Sequence, residues 1–191
     1  MAEIILGIDP GSRNTGFSIL TRKEGVLVAM RCDVIRLSHL DDHADRLQLI
    51  FERVSEIVRS FEPDACAVET PVYGVDPLAM LKLGRAQAAA MLAITSNGLA
   101  VTEYYPKEVK KSITGNGNAD KKQVAYMLRQ TVRLPDEDLP DDATDALAVA
   151  WCHLMKQSSD GRMQGGSRRK QQNRSVSSWE QFVKKNPDRV K

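Results

Sequence analysis

Apolar runs of strand type precede any helical spacing in this chain. Glu3–Ile8, Gly16–Thr21 and Val26–Ile35 read as three strands, the last two joined as a hairpin around Lys23-Glu24-Gly25, since a short glycine-containing break between apolar runs is a hairpin signal. Three successive strands predict an antiparallel half-sheet. From Asp41 to Ser60 the period changes: Leu47, Ile50, Phe51, Val54, Ile57 and Val58 recur at helical spacing. Ala65–Glu69 follows as a buried strand and completes a crossover unit. Asp76 before Pro77 supplies an N-cap and the favoured first-turn proline, and Asn97-Gly98 is a stop signal for the helix between them. Leu99–Tyr104 is the next strand, and further helices are expected at Pro106–Ile113, Ala119–Val132 and Asp141–Lys156. The order predicts an α/β fold with a mixed five-stranded sheet, its first three strands antiparallel and its last two parallel, flanked by helices.

Length narrows this to one domain: 191 residues with 42% hydrophobic content suffice for one sizeable core, and a domain is typically about 100–200 residues. Glu3 and Asp9 interrupt the only candidate leader, and no apolar run approaches the ~18 residues of a membrane span. A cytoplasmic protein without a membrane segment is expected. Cys32, Cys66 and Cys152 lack metal-ligand spacing and read as buried reduced thiols. His39, His43 and His153 sit in no motif with a nucleophile or metal partner and read as surface or helix residues.

The net charge of +2 hides an asymmetry. Residues 160–191 carry nine Lys or Arg against three Asp or Glu, whereas residues 1–159 carry eighteen against twenty-two. The basic stretch is polar and poor in apolar residues, so it cannot bury enough surface to offset its ordering entropy. The expected division is a folded domain at 1–158 and a basic, disordered tail at 159–191, in which Trp179, Phe182 and Val183 could form a short docking helix.

Candidate chemistry lies in four carboxylates: Asp9 in Leu6-Gly-Ile-Asp-Pro-Gly-Ser12, Glu69 in Ala67-Val-Glu-Thr70, and the pair in Asp142-Ala-Thr-Asp145. Asp9 and Glu69 each end an apolar run, so in a parallel arrangement both emerge at the carboxyl edge of the sheet, where open α/β sheets place their ligands. Asp142 and Asp145 are three apart on a helix and share a face. Acids converging in this way repel one another unless a hard, oxygen-seeking cation joins them, most naturally Mg²⁺. Asp141 should point about 100° away around the helix and serve the N-terminal turn. Lys110, Lys111, Lys121 and Lys122 flank the flexible Thr114-Gly-Asn-Gly-Asn118 loop; a solvated charged face is the ordinary explanation of such a cluster, and beside a metal site phosphate contact is favoured. Met80, Leu83, Met91 and Leu92 read as core or dimer interface.

Taken together, Gly7-Ile-Asp-Pro-Gly-Ser-Arg-Asn-Thr-Gly-Phe17, Val68-Glu69, Leu81-Lys-Leu-Gly-Arg85, Glu108-Val-Lys-Lys-Ser-Ile-Thr-Gly115 and Asp142-Ala-Thr-Asp-Ala-Leu-Ala148 strongly resemble the RuvC family of Holliday-junction resolvases, members of the ribonuclease H-like superfamily. The resemblance spans about residues 3–156. It implies a homodimer that binds a four-way DNA junction and nicks two like-polarity strands symmetrically after branch migration by RuvA and RuvB. It places the catalytic and metal-holding acids at Asp9, Glu69, Asp142 and Asp145, with two Mg²⁺ ions per site or Mn²⁺ in their place, and DNA-contacting lysines at Lys110 and Lys121, to which Arg85 adds. Some relatives have His where Asp142 stands; the all-oxygen set here suits Mg²⁺ or Mn²⁺. Two ions would activate water and stabilise the departing 3′-oxygen, leaving a 5′-phosphate and a 3′-hydroxyl. Relatives commonly carry a junction-opening aromatic three positions after the strand acid, where this chain has Val72, so Tyr73 beside it is expected to take that DNA-binding role.

Rival readings are another ribonuclease H-like nuclease, an actin-like or sugar-kinase ATPase, for which the chain is too short, and a non-catalytic junction binder, which should have lost some of the acids.

Overall fold

The computed structural model describes residues 3–163 apart from 73, 75, 136 and 137. Its elements are β1 (Ile4–Asp9), β2 (Asn14–Lys23), β3 (Val26–Arg36), α1 (His43–Phe61), β4 (Ala65–Glu69), α2 (Pro77–Ser96), β5 (Val101–Tyr104), α3 (Pro106–Thr114), α4 (Lys121–Thr131), β6 (Val132–Arg133) and α5 (Asp141–Met163). They make one sheet in the order β5-β4-β1-β2-β3-β6. β1, β2 and β3 pair antiparallel, while β4 joins β1, and β5 joins β4, in parallel.

The hairpin turn consists of Glu24 and Gly25, both with positive φ. That is the handedness whose twist matches the flanking strands. Asp42 caps α1 through Ala44 N, and Asp76 caps α2 through the N–H groups of Leu78 and Ala79.

The strand count corrects the sequence reading. Val132 was expected to end a helix but is extended and buried, and with Arg133 it forms β6, paired in parallel with Leu27 and Val28 of β3. A β-branched residue packs well on a pleated surface, and the open edge of β3 supplies the partner. α5 also runs past Lys156 to Met163. Trp179, Phe182, Val183 and the rest of 164–191 lie outside the described residues.

Helices cover the sheet on both faces. On one, Leu6, Ile8, Ile19, Cys66 and Val68 pack under α1 and α2 through Ile50, Val54, Ala90 and Ile94. On the other, Ile5, Leu20 and Ala67 pack under α3, α4 and α5 through Val109, Leu128, Ala143 and Leu147. Successive strand residues point to opposite faces, so Asp9 falls on the face of Ile5, and Glu69 on that of Ala67. Both acids therefore face α5.

His153, expected at a surface or on a helix, is in α5 but buried, with Nδ1 3.0 Å from Tyr104 Oη. Cys32, Cys66 and Cys152 are buried, and burial pushes the Cys66 thiol up to about 12. No helix among the described residues is long and apolar enough to cross a membrane.

Candidate active site

Parallel pairing of Ile8 with Val68 brings the strand ends Asp9 and Glu69 side by side. Immediately beyond Asp9 the chain turns sharply over Pro10–Arg13, held by Thr15, whose Oγ1 donates to Gly11 O at 3.1 Å and accepts from Gly11 N at 3.3 Å. This returns Gly16 to pair with Asp9.

Two glycines bring the helical acids to the same place. A Cβ on Gly16 would drive into the carbonyl oxygen of Asp142, and one on Gly7 into that of Ala146. Their absence of side chains allows α5 to lie directly on β1 and β2, a close approach that glycine permits. The buried Ser18 hydroxyl then donates to Ala146 O at 3.0 Å and fixes the register between helix and sheet. The first turns of α5 thus rise beside Asp9.

Asp9, Glu69 and Asp145 line a cleft of about 230 Å³ together with Lys110 and Lys121. Asp142 is half-buried next to it and acts on Asp9 through its charge. Lys121 Nζ contacts Asp145 Oδ2 at 2.5 Å. It is the first residue of α4, and its phase is set by a reciprocal cap in which Asp120 Oδ1 accepts from Gln123 N at 2.8 Å and Gln123 Oε1 from Asp120 N at 3.1 Å. The Asp-x-x-Gln spacing was a legible helix-start signal, and the sequence reading passed over it.

Electrostatics mark these acids as costly in isolation. Burial pushes Asp9 up to about 7, helped by the charges of Asp145 and Asp142 and opposed by Lys121. Burial likewise pushes Glu69 up to about 8, helped by Asp9 and Asp145 and opposed by Lys121 and Lys110. Such displacement is characteristic of functional sites. A hard divalent cation relieves both causes at once, replacing lost hydration and cancelling the mutual repulsion. The all-carboxylate donor set fits one. Among the described residues no group of three or more acidic, His or Cys side chains closes into a finished cation cage.

The other expected residues fall elsewhere. Asp141 is exposed and lines a neighbouring groove rather than the cleft of Asp9 and Glu69. Val72 is 53% exposed on the segment after Glu69, and Tyr73 lies outside the described residues. Arg85 is exposed on α2, across the sheet from α3 and α4, so it does not share the face of Lys110 and Lys121. On α2, Met91 packs against the core, while Leu78, Leu81 and Leu92 are 59%, 50% and 59% exposed.

A mixed sheet with acids at two adjacent strand ends and a third contribution from a helix laid across them is the architecture of a ribonuclease H-like nuclease. The family model for "Crossover junction endodeoxyribonuclease RuvC" matches residues 5–153. Proteins described by that name from Salinibacter ruber and Porphyromonas gingivalis are 45% and 44% identical, covering 98% and 99% of this chain and 98% and 97% of theirs. The solved structure of Thermus thermophilus RuvC in complex with a Holliday junction substrate is 29% identical, with a TM-score of 0.76 over 83% of this chain and 96% of that one. The chain belongs to the RuvC family.

Proposed function

We propose that the protein is a Mg²⁺-dependent endonuclease that resolves four-way DNA junctions by nicking two strands of like polarity. The carrying observation is the meeting of Asp9, Glu69 and Asp145 in one cleft with Lys110 and Lys121, and with Asp142 close enough to raise the pKa of Asp9. Family membership supports the same reading: the Thermus relative is described in complex with a Holliday junction substrate.

In this reading Asp9, Glu69, Asp142 and Asp145 hold two Mg²⁺ ions, or Mn²⁺ in their place. Bound metal supplies Lewis acidity, strengthening water as a nucleophile and stabilising charge on the departing 3′-oxygen. Asp9 feels the charges of Asp145 and Asp142, and Glu69 those of Asp9 and Asp145, so the cations would be shared among them. Lys110 and Lys121, which line the cleft, neutralise the phosphates on either side of the scissile bond. No side chain becomes covalently attached to DNA, so water leaves a 5′-phosphate and a 3′-hydroxyl that a ligase can join.

Symmetric nicking calls for two copies of the site. The exposed leucines Leu78, Leu81 and Leu92, spread along α2, would lie at the contact of a homodimer. Val72 and Tyr73 stand after Glu69, where a side chain could enter the junction centre, and Arg85 is assigned to DNA outside the cleft. RuvA and RuvB branch migration is the step that delivers the junction, and the cytoplasm is the compartment.

The deciding experiment offers a synthetic mobile four-way junction, linear duplex and RNA–DNA hybrid at equal concentration with Mg²⁺. Paired nicks in the junction, with duplex and hybrid spared, are expected. Equal cutting of all three would instead assign the protein to a less selective nuclease function.

A further inference from the structure

The exposed side of α4 repeats Lys122, Tyr126 and Arg129 at i, i+4 and i+7, while Val124 and Leu128 turn into the core. Neighbours at that spacing form one stripe along a helix. The stripe walls a groove of about 1060 Å³ whose opposite wall is the first turns of α5, at Asp141 and Thr144. Lys121 and Asp145 line both this groove and the cleft of Asp9 and Glu69, so the two adjoin across that ion pair.

The groove's surface chemistry is divided. Tyr126 presents its ring at 62% exposure beside Ala125 and Met127, an apolar floor with an aromatic plate. Lys122 and Arg129 give that side positive charge. The Asp120 carboxylate accepts from the backbone N–H of Gln123, and that of Asp145 is paired with Lys121, whereas Asp141 puts negative charge on the far wall. An anionic polymer entering the groove is thereby pressed toward α4. Flat hydrophobic groups meeting the ring and regularly spaced anions meeting the basic stripe describe one ligand, a nucleic-acid strand.

We propose that the groove between α4 and α5 is a strand-binding subsite: the DNA strand flanking the scissile phosphate lies along α4, a base stacks on Tyr126, and Lys122 and Arg129 contact its phosphates. This rests on the endonuclease reading and adds the path of the strand away from the cleft. The groove then acts as a ruler, since stacking at Tyr126 fixes which phosphate reaches Asp9.

The test uses junctions bearing 2-aminopurine at single positions on either side of the crossover, bound in the presence of chelator so that no strand is cut. Quenching should peak over a short window of positions with the wild-type protein. Tyr126→Leu should abolish that peak and weaken binding roughly 5- to 150-fold, Tyr126→Phe should preserve both, and Lys122→Ala or Arg129→Ala should each reduce the salt dependence of binding by about one phosphate contact. Wild-type quenching and affinity in Tyr126→Leu would overturn the subsite, as would loss of affinity with the quenching peak intact. Nicking of the same junctions with Mg²⁺ is scored in parallel. Absence of wild-type nicking counts against the endonuclease reading, whereas normal nicking with an unaffected Tyr126→Leu counts against the subsite alone.

Discussion

Lys121 Nζ stands 2.5 Å from Asp145 Oδ2, and the same ammonium group lowers the proton affinity of both Asp9 and Glu69. One flexible cation thus offsets three carboxylates of the cleft at once. Because a phosphate oxygen is attracted to that same group, Lys121 can exchange Asp145 for DNA when substrate arrives. Lys121→Ala and Lys110→Ala should weaken binding or nicking of junctions at every sequence alike, since phosphate contacts carry no base information. Each should also reduce the salt slope of binding by about one. A changed cleavage-sequence preference with unaltered affinity would contradict the phosphate role.

Replacing the acids separates holding metal from holding DNA. Asp9→Asn, Glu69→Gln and Asp145→Asn should each abolish nicking while leaving junction binding intact, measured by gel shift without divalent cation. Full nicking in any of the three removes that residue from the catalytic set.

Proton linkage predicts an inverted pH dependence for the metal-free protein. Asp9 and Glu69 rise from 3.8 and 4.5 to about 7 and about 8 on folding, so between those limits the folded state binds more protons than the unfolded chain. Their contribution to stability is full below the unfolded values and is lost as pH climbs through the folded ones. With chelator, the melting temperature should decline from about pH 5 toward about pH 8 through these two groups. Mg²⁺ should reverse the decline, by linkage worth about 2.7 kcal/mol at a hundredfold excess over its dissociation constant, and should stabilise more at the higher pH. An equal Mg²⁺ effect at both ends of the range would separate the cation from these acids.

Gly16→Ala should damage stability and nicking together. The added methyl meets the Asp142 carbonyl, and relief requires α5 to move off the sheet, at about 1–3 kcal/mol for an overpacked core. Gly25→Ala, in the hairpin turn where a Cβ meets nothing within 4 Å, should cost stability by backbone strain alone and leave nicking per folded molecule unchanged. Differential melting and specific activity distinguish them.

Tyr73→Ala should be costly on a fully paired junction and nearly silent on one with unpaired bases at the crossover, where strand opening is already supplied. Base stacking on an aromatic ring is worth about 1–3 kcal/mol. Equal losses on both substrates would assign Tyr73 to packing beneath the loop.

The acids were legible in the sequence because each sits at a point where local pattern changes: Asp9 and Glu69 at the ends of apolar runs, Asp142 and Asp145 in the first turns of a helix. Periodicity likewise carried the strand hairpin, the crossover helix and the helix behind Asp76. What remained hidden depends on contacts between distant segments. Gly7 and Gly16 look like ordinary strand and turn glycines until α5 is laid over them, and Val132 becomes a strand only because the edge of β3 is beside it. His153 carries no local sign of its buried bond to Tyr104, which joins residues 49 apart. Arg85 read as part of the lysine surface since sequence spacing alone does not say which face of the sheet a helix covers.

The seating of α5 on Gly7 and Gly16 has a consequence for how the chain is made. Asp9 and Glu69 leave the ribosome long before Asp142 and Asp145, and the carbonyl of Ala146 must reach Ser18 across 128 positions of sequence before α5 is seated beside the strand acids. Contacts so distant form late because their loop closure is entropically costly. On the proposed assignment of the acids, a nascent chain should therefore gain nuclease activity only after α5 has been synthesised, and a truncated product lacking α5 would carry Asp9 and Glu69 without Asp142 and Asp145.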